Sequence, residues 1–315
     1  MKNKMNFLII GGNGFIGRNL SRNIITQLPD SKVFVLDRKT EDTGLSSSRI
    51  RFIKKNDSSL VKNLEELPIE IDTIIHLGGI SAPFEQINLK ELIEKDLLFT
   101  IELLEWAKLN CIKKFIYFSS GGTIYGPVKL KTGHNESDLP LPRNNYALSK
   151  CLNELVIQKE CNSNSITHLI IRPSNPFGPG QAKFNKQGVI STFLYRIMRK
   201  EPLITYGSLK NSKDYIYIDD LSNLVLKLIY NDRSGTYNIG SGTNTSLENI
   251  LSSVEKVTKT ENIHVNNQLK ETQTPNFALD NRKLLKDISE NYEFKTLEKG
   301  IEETWEWMKT QNFNS

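Results

Sequence analysis

Cysteine is scarce in this chain: three in 315 residues, at Cys111, Cys151 and Cys161, with no Cys-x-x-Cys pair. An odd, scattered set gives no disulfide framework and reads as reduced thiols of a cytoplasmic protein. Histidine is nearly as rare. His76, His134, His168 and His264 lie far apart without metal-ligand spacing, so no metal centre is expected. Long apolar runs are also missing. Met1-Lys2-Asn3-Lys4 leads only into Met5–Ile10, too short for a signal peptide or a membrane span. Nor is there a block of one charge. The net charge of +5 comes from scattered lysines with no interleaved aromatics, which argues against nucleic acid and membrane as partners. What is left is an ordinary globular composition, long enough for one large domain and a smaller one.

Against that plain background, one stretch is specific. An apolar run ends at Gly11-Gly12-Asn13-Gly14-Phe15-Ile16-Gly17, a second run covers Lys32–Leu36, and Asp37 closes it. Strand, glycine turn, helix, strand and acid, in that order, form a dinucleotide-binding fingerprint. Gly11 or Gly12 permits the tight turn, Gly14 clears space for a pyrophosphate, and Gly17 lets the first helix pack closely. The helix start near Asn13, with Phe15 and Ile16, offers free N–H groups to phosphate. Asp37 can accept from both ribose hydroxyls and would repel a 2′-phosphate, which favours NAD over NADP. Arg38, directly after it, is a possible phosphate partner and pulls the other way. Asp57 follows a third strand-like run, Arg51–Lys54, and reads either as an adenine-edge contact or as a surface acid.

Further runs at Thr73–Leu77, Lys114–Phe118 and Thr167–Ile171 alternate with helical patterns. This rhythm predicts an α/β fold, a Rossmann-type doubly wound parallel sheet, with a smaller mixed α/β substrate-binding region. Leu92–Leu109 reads as a helix with Asp96, Glu102 and Glu105 as its polar positions, and Tyr146–Glu160 reads as another. Both carry more apolar surface than one buried stripe needs, which suits a homodimer formed through 92–109 and 146–160. After Arg172 the texture changes, with Pro173, Pro176, Gly178, Pro179 and Gly180 close together. Residues 1–180 are therefore expected to form the cofactor domain and to receive segments near 214–240. Residues 181–315 mainly form the substrate region, interleaved with the first.

Tyr146-Ala147-Leu148-Ser149-Lys150 sets a phenol and an ammonium one helical turn apart on one face. A free tyrosine, with a pKa of about 10, is a poor base at neutral pH. A neighbouring ammonium and a nicotinamide cation both favour the phenolate, making Tyr146 a general base, while Lys150 also holds the nicotinamide ribose.

With these pieces the chain resembles the extended short-chain dehydrogenase/reductase family, in particular its nucleotide-sugar epimerases and dehydratases. The resemblance runs from Phe7 to about Trp307. It is carried by Gly11–Gly17, Asp37, Asp57, His76-Leu77-Gly78-Gly79, Ser119–Gly126, Tyr146 with Lys150, Arg172–Gly178 and Lys213–Asp220. It implies that Leu77, Gly78 and Gly79 lie beside the cofactor and that Ser119 borders the active site. It also implies that Asn175 contacts the sugar-nucleotide diphosphate. Ser81, Val189, Lys213, Tyr215 and Lys270 fall in the segments that would read base, sugar and phosphate. Lys213 and Lys270 stand where relatives place arginine, which keeps the charge but loses the bidentate fork.

Gly121 is a larger departure, because the resemblance puts there the Ser or Thr that shares the reacting hydroxyl with the tyrosine. Thr123 is the favoured substitute and Ser120 the second, since strand alternation would point Ser120 away from the Gly121 direction unless the backbone turns. No Asp-Glu pair stands at Gly122-Thr123, which disfavours dehydration. The implied activity is NAD-dependent epimerisation of a nucleotide sugar, a UDP-hexose at C4 through a 4-keto intermediate. Two alternatives stand beside it: an NAD(P)H-dependent 4-keto nucleotide-sugar reductase, and a non-catalytic NAD-binding sensor or scaffold.

Overall fold

The computed structural model describes residues 4–38, 47–54, 64, 67, 71–79, 88–126, 133–181, 188–260, 265–268, 278–288 and 291–311. The expected contacts at Asp57, Ser81 and Lys270 lie outside these residues. The chain divides into two compact units, the first built from 1–126, 139–172 and 222–237, the second from 127–138, 173–221 and 238–315. The break thus falls at Arg172-Pro173, where the polypeptide loses its strand-and-helix rhythm. Residues 222–237 return to the first unit, whereas 214–221 stay with the second.

In the first unit, β1 (Asn6–Ile10) passes through the glycine turn into α1 (Phe15–Gln27) and then β2 (Lys32–Asp37) and β3 (Ile50–Lys54). β4 (Thr73–His76) follows. A helix, α2, then runs through Leu89–Leu92, a π turn at Ile93–Leu97, and Leu98–Leu109. It begins earlier than the sequence pattern suggests because Asn88 caps it, its side chain accepting from the Glu91 N–H at 2.8 Å. Next come β5 (Lys114–Phe118), a single turn α3 (Gly121–Ile124), α4 (Asn145–Ser163) and β6 (Thr167–Pro173).

The sheet order is β10-β6-β5-β4-β1-β2-β3, β10 being Gly235–Ile239, and every pair from β6 to β3 is parallel. All five residues of β1 and of β5 are buried, the continuous pattern of strands covered on both faces. One core brings Leu8, Phe34, Ile74 and Tyr117 of the strands together with Leu103, Leu104 and Trp106 of α2 and Ile157 of α4. Each such side chain contributes roughly 1.5–3 kcal/mol by leaving water. Cys161 belongs to the same core, and burial pushes its thiol up to about 12.

The second unit holds β7 (Asn175–Phe177), α5 (Val189–Met198), β8 (Leu203–Tyr206) and β9 (Ser212–Tyr217). α6 (Ile218–Tyr230) leaves it for the first unit. The chain returns through β10 to β11 (Asn244–Ser246), α7 (Leu247–Thr258), β12 (Val265–Gln268), α8 (Arg282–Ile288) and α9 (Leu297–Thr310). Its sheets are small. β9 lies between β7, parallel, and β11, antiparallel, while β8 pairs with β12. Among the described residues no helix is long and apolar enough to cross a membrane.

Candidate active site

The first unit builds a cradle for a dinucleotide from backbone and missing side chains. Gly11 is the turn residue, with φ +73°, and its N–H donates to the Leu36 carbonyl at 2.8 Å. This settles the choice between Gly11 and Gly12. A Cβ on Gly17 would lie 2.5 Å from the Gly12 Cα, so the helix can approach only with glycine there, and its closest neighbour is the turn itself. Among the described residues, a Cβ on Gly14 would meet only the Gly11 carbonyl within contact range. The helix begins at Phe15 rather than Asn13, with Gly14 as an N-cap that makes no side-chain bond. Its opening N–H groups at Phe15 and Ile16 have no partner among the described residues, as an anion-binding helix start requires.

Asp37 ends β2 half-buried, and its Oδ2 accepts the Asn13 N–H at 3.0 Å. That bond ties the acid to the turn and takes Asn13 N–H out of the phosphate set. Arg38 is exposed. A different cation occupies the interior of this corner. Arg18 donates from Nε to the Asn13 carbonyl at 2.7 Å and to its side-chain oxygen at 3.1 Å. Burial pulls the Arg18 guanidinium below its ordinary value, and the Asp37 charge opposes that. The sequence reading passed over Arg18, although its place directly after Gly17 in the first helical turn was a signal.

The candidate catalytic pair sits on α4. Asn144 caps this helix, accepting the Ala147 N–H at 2.8 Å, and so fixes Tyr146 in its first turn. Tyr146 is half-buried and Lys150 buried. The Lys150 ammonium donates to the Phe118 carbonyl at the end of β5, 3.1 Å away, and lies 4.9 Å from the Tyr117 ring centre and 5.7 Å from that of Tyr146. Gly79 borders it too, since a Cβ there would be 3.6 Å from the nitrogen. The end of β5, the residues after β4 and one helix thus converge on one nitrogen. Burial alone would lower the Lys150 pKa; the Tyr117 and Tyr146 phenols and the Asp96 carboxylate outweigh it, so the group stays charged.

Asp96 is a correction to the helical-wheel reading. It is buried in the π turn of α2, where it accepts the Ser149 hydroxyl of α4. A second correction concerns Gly121. The backbone turns into α3 directly after Ser120, so strand alternation does not apply. Ser120 and Thr123 are instead three residues apart on a helical turn and share a side of it. Ser120 is the N-cap but makes no side-chain capping bond, and Thr123 Oγ1 is buried with no hydrogen-bond partner among the described residues. Ser119 Oγ is likewise buried without a partner among the described residues. Three hydroxyls, Ser119 beside the expected Thr123 and Ser120, therefore stand uncommitted among the described residues.

In the second unit β9 carries the candidate recognition groups. Lys213 and Tyr215 alternate with Asp214 and share one face, and Asn175 of β7 is in register with Tyr215. Asn175 Nδ2 donates to the Asp214 carbonyl at 2.7 Å, so this amide aligns β7 with β9. Lys213 is half-buried without a carboxylate partner among the described residues, and burial lowers its pKa. Burial raises the Tyr215 phenol. Val189 opens α5 in the same unit. On the opposite face, the wholly buried Asp214 accepts from Ser241 N–H and Oγ, each at 2.9 Å, and from Gly242 N–H at 3.1 Å. No group of histidine, cysteine and acid suited to a metal occurs among the described residues.

Comparison with known proteins places these features in context. The model of the NAD dependent epimerase/dehydratase family matches residues 7–240. A dTDP-4-dehydro-6-deoxyglucose reductase of Escherichia coli is 35% identical over 269 residues, covering 80% of this chain and 81% of that protein. A putative UDP-glucose 4-epimerase of Methanocaldococcus jannaschii is 27% identical over 97% of this chain and 99% of its own. Among solved structures, a UDP-N-acetylglucosamine 4-epimerase from Methanobrevibacter ruminantium superposes with a TM-score of 0.87 at 24% identity, over 99% of this chain and 100% of that one.

Proposed function

The chain belongs to the NAD dependent epimerase/dehydratase family, and from that premise we propose that it transfers hydride at C4 of a nucleotide-linked hexose. The observation that carries this reading is the convergence of Tyr146, the Phe118 carbonyl and Gly79 on Lys150, beside the glycine turn. The Gly11–Gly17 turn, Asp37 and Lys150 would hold NAD, which when bound would supply the hydride acceptor. Tyr146 takes the proton from the C4 hydroxyl as the carbon is oxidised, and returns it when the carbonyl is reduced. The Lys150 charge stabilises the phenol oxygen as negative charge grows on it. Ser120 or Thr123 donates to the reacting oxygen in place of the side chain missing at Gly121. Lys213, Tyr215 and Asn175 would receive the nucleotide diphosphate, the ammonium, which has no carboxylate partner among the described residues, gaining its counter-charge there.

The finer reading is epimerisation of a UDP-hexose through a 4-keto intermediate, which needs only this base, this lysine and room for the sugar to turn over. A second reading, reduction of a 4-keto nucleotide sugar, is favoured by one specific observation: the relative at 35% identity is a reductase. One experiment separates them. The nucleotide released by denaturing the purified protein is identified; UDP-, dTDP-, GDP- and CDP-hexoses are then incubated without added cofactor, and the corresponding 4-keto sugars with added NADH or NADPH. Interconversion of C4 epimers supports the first reading. Turnover only of a 4-keto sugar, with stoichiometric NADH or NADPH consumed, supports the second. Retained NAD with neither reaction supports a non-catalytic binding protein. Leu89, Ile93 and Leu98 of α2 and Leu155 of α4 expose apolar surface, which supports pairing of two copies across these helices; sedimentation at micromolar concentration tests it.

A further inference from the structure

α3 is one turn long, and nothing in its own sequence holds it. Gly121 and Gly122 carry no side chains, and the N-cap makes no side-chain bond. A four-residue helix does not persist on its own, because nucleation outweighs the few hydrogen bonds gained. It is gripped at its C-terminal end. Ile124 O accepts the Leu141 N–H at 2.6 Å, and the buried Tyr125 meets Arg172. Arg172 Nη1 donates to the Tyr125 hydroxyl at 2.6 Å, with its guanidinium 5.0 Å from the ring centre. The other edge of the same guanidinium donates to Glu154, Nε to Oε1 at 3.0 Å and Nη2 to Oε2 at 2.5 Å. The side chains of this pair are only 6% and 4% exposed.

Glu154 lies on α4 four residues after Lys150 and eight after Tyr146, so all three share one helical face. A buried ion pair is a poor way to gain stability, because desolvation offsets most of its attraction and an apolar pair of equal size often does as well. This pair does something an apolar one would not, since its fork fixes direction at both ends. We infer that Glu154 and Arg172 are positioning residues that hold the turn bearing Ser120 and Thr123 in register with the helix bearing Tyr146 and Lys150, acting through the Tyr125 hydroxyl. The inference rests on the catalytic reading above for its consequence, but its structural half can be tested without substrate.

The test uses full-length protein with bound NAD. Tyr125→Phe deletes one hydroxyl and keeps the ring; Glu154→Gln keeps the shape and removes the charge. Amide hydrogen exchange is followed in peptides covering 119–126 and, as internal controls, β1 and β5. Exchange in 119–126 is expected to rise about tenfold in both variants, with the control strands unchanged. Unchanged exchange at 119–126, or an equal rise everywhere, overturns the inference. Where the hexose screen shows turnover, Tyr125→Phe should lower kcat about tenfold with KM within twofold, and should add nothing in a Ser120→Ala/Thr123→Val background. Full additivity there overturns the link to the hydroxyls. Tyr146→Phe serves as the separate control: if it leaves turnover intact the catalytic reading fails, whatever the exchange result.

Discussion

The two units place their functional side chains in opposite ways. In the first, the groups that frame the candidate site are fastened to neighbouring elements: Lys150 to the end of β5, Asp37 to the glycine turn, Ser149 of α4 to Asp96 of α2. In the second, the polar ends of Lys213 and Tyr215 are half-buried with no side-chain partner among the described residues. Only the strand beneath them is fastened, through Asp214. Hydride transfer tolerates little error in geometry, and the lysine, acid and helix that would frame it are held by such bonds. Recognition of an anionic ligand needs charge left over, and a cation already paired inside the protein could not supply it.

Four experiments sharpen or break this contrast, beginning with the largest effect. Tyr146→Phe removes the transferable proton and should reduce turnover by roughly 10²–10⁴-fold, with NAD binding and thermal stability nearly unchanged. Near-normal steady-state rates would remove Tyr146 from the chemistry.

Asp214 gives the next effect, in stability rather than rate. Burial raises its pKa from 3.8 to about 6, against its hydrogen bonds from Ser241, Leu279 and Gly242. The folded state therefore binds more protons than the unfolded state between those values, and this group's contribution to stability falls as pH rises through that window. Lowering pH from 7 to 4.5 should recover about 1–3 kcal/mol from Asp214, a gain that Asp214→Asn lacks. Paired urea titrations at both pH values measure the difference, and parallel pH responses in the two proteins would refute it.

Lys213→Ala should raise KM for the nucleotide sugar about tenfold and leave NAD affinity alone, as expected for a lost phosphate contact worth about 1.4 kcal/mol. An equal loss in kcat with unchanged KM would move Lys213 into the chemical step. Smallest of all, Asp37→Ser should narrow the preference for NAD over NADP by less than about tenfold. Binding constants for both cofactors decide it; an unchanged ratio would show that Asp37 acts on the turn alone, through Asn13.

How legible the site was depends on how far apart its partners lie in the chain. Tyr146 and Lys150 were readable because one helical turn separates them. Glu154 continues the same spacing and could have been read as part of that face. Its partners could not. Arg172 is 18 residues from Glu154 and 47 from Tyr125, and no local pattern marks that they meet. Asp96 was misread for a related reason. A helical wheel sorts residues by polarity, whereas its burial follows from α2 packing on α4, where the Ser149 hydroxyl satisfies the carboxylate. At Gly121 the misleading element was the period itself, since alternation holds only while the strand lasts and β5 ends at Phe118.

By itself the sequence determined the order of strands and helices in the first unit, the glycine turn and its acid, and the phenol-ammonium pair. All of these are short-range: a hydrophobic period, a positive φ, a spacing of four. Only the tertiary structure decided which glycine turns, that Arg18 rather than Arg38 lies inside the Asp37 corner, and that Ser120 and Thr123 share a side of a helical turn. It alone fastened β9 through Asp214 and tied α3 to α4 through Arg172. Those outcomes depend on groups brought together across tens of residues, where burial withdraws water and each polar atom must find its partner within the fold.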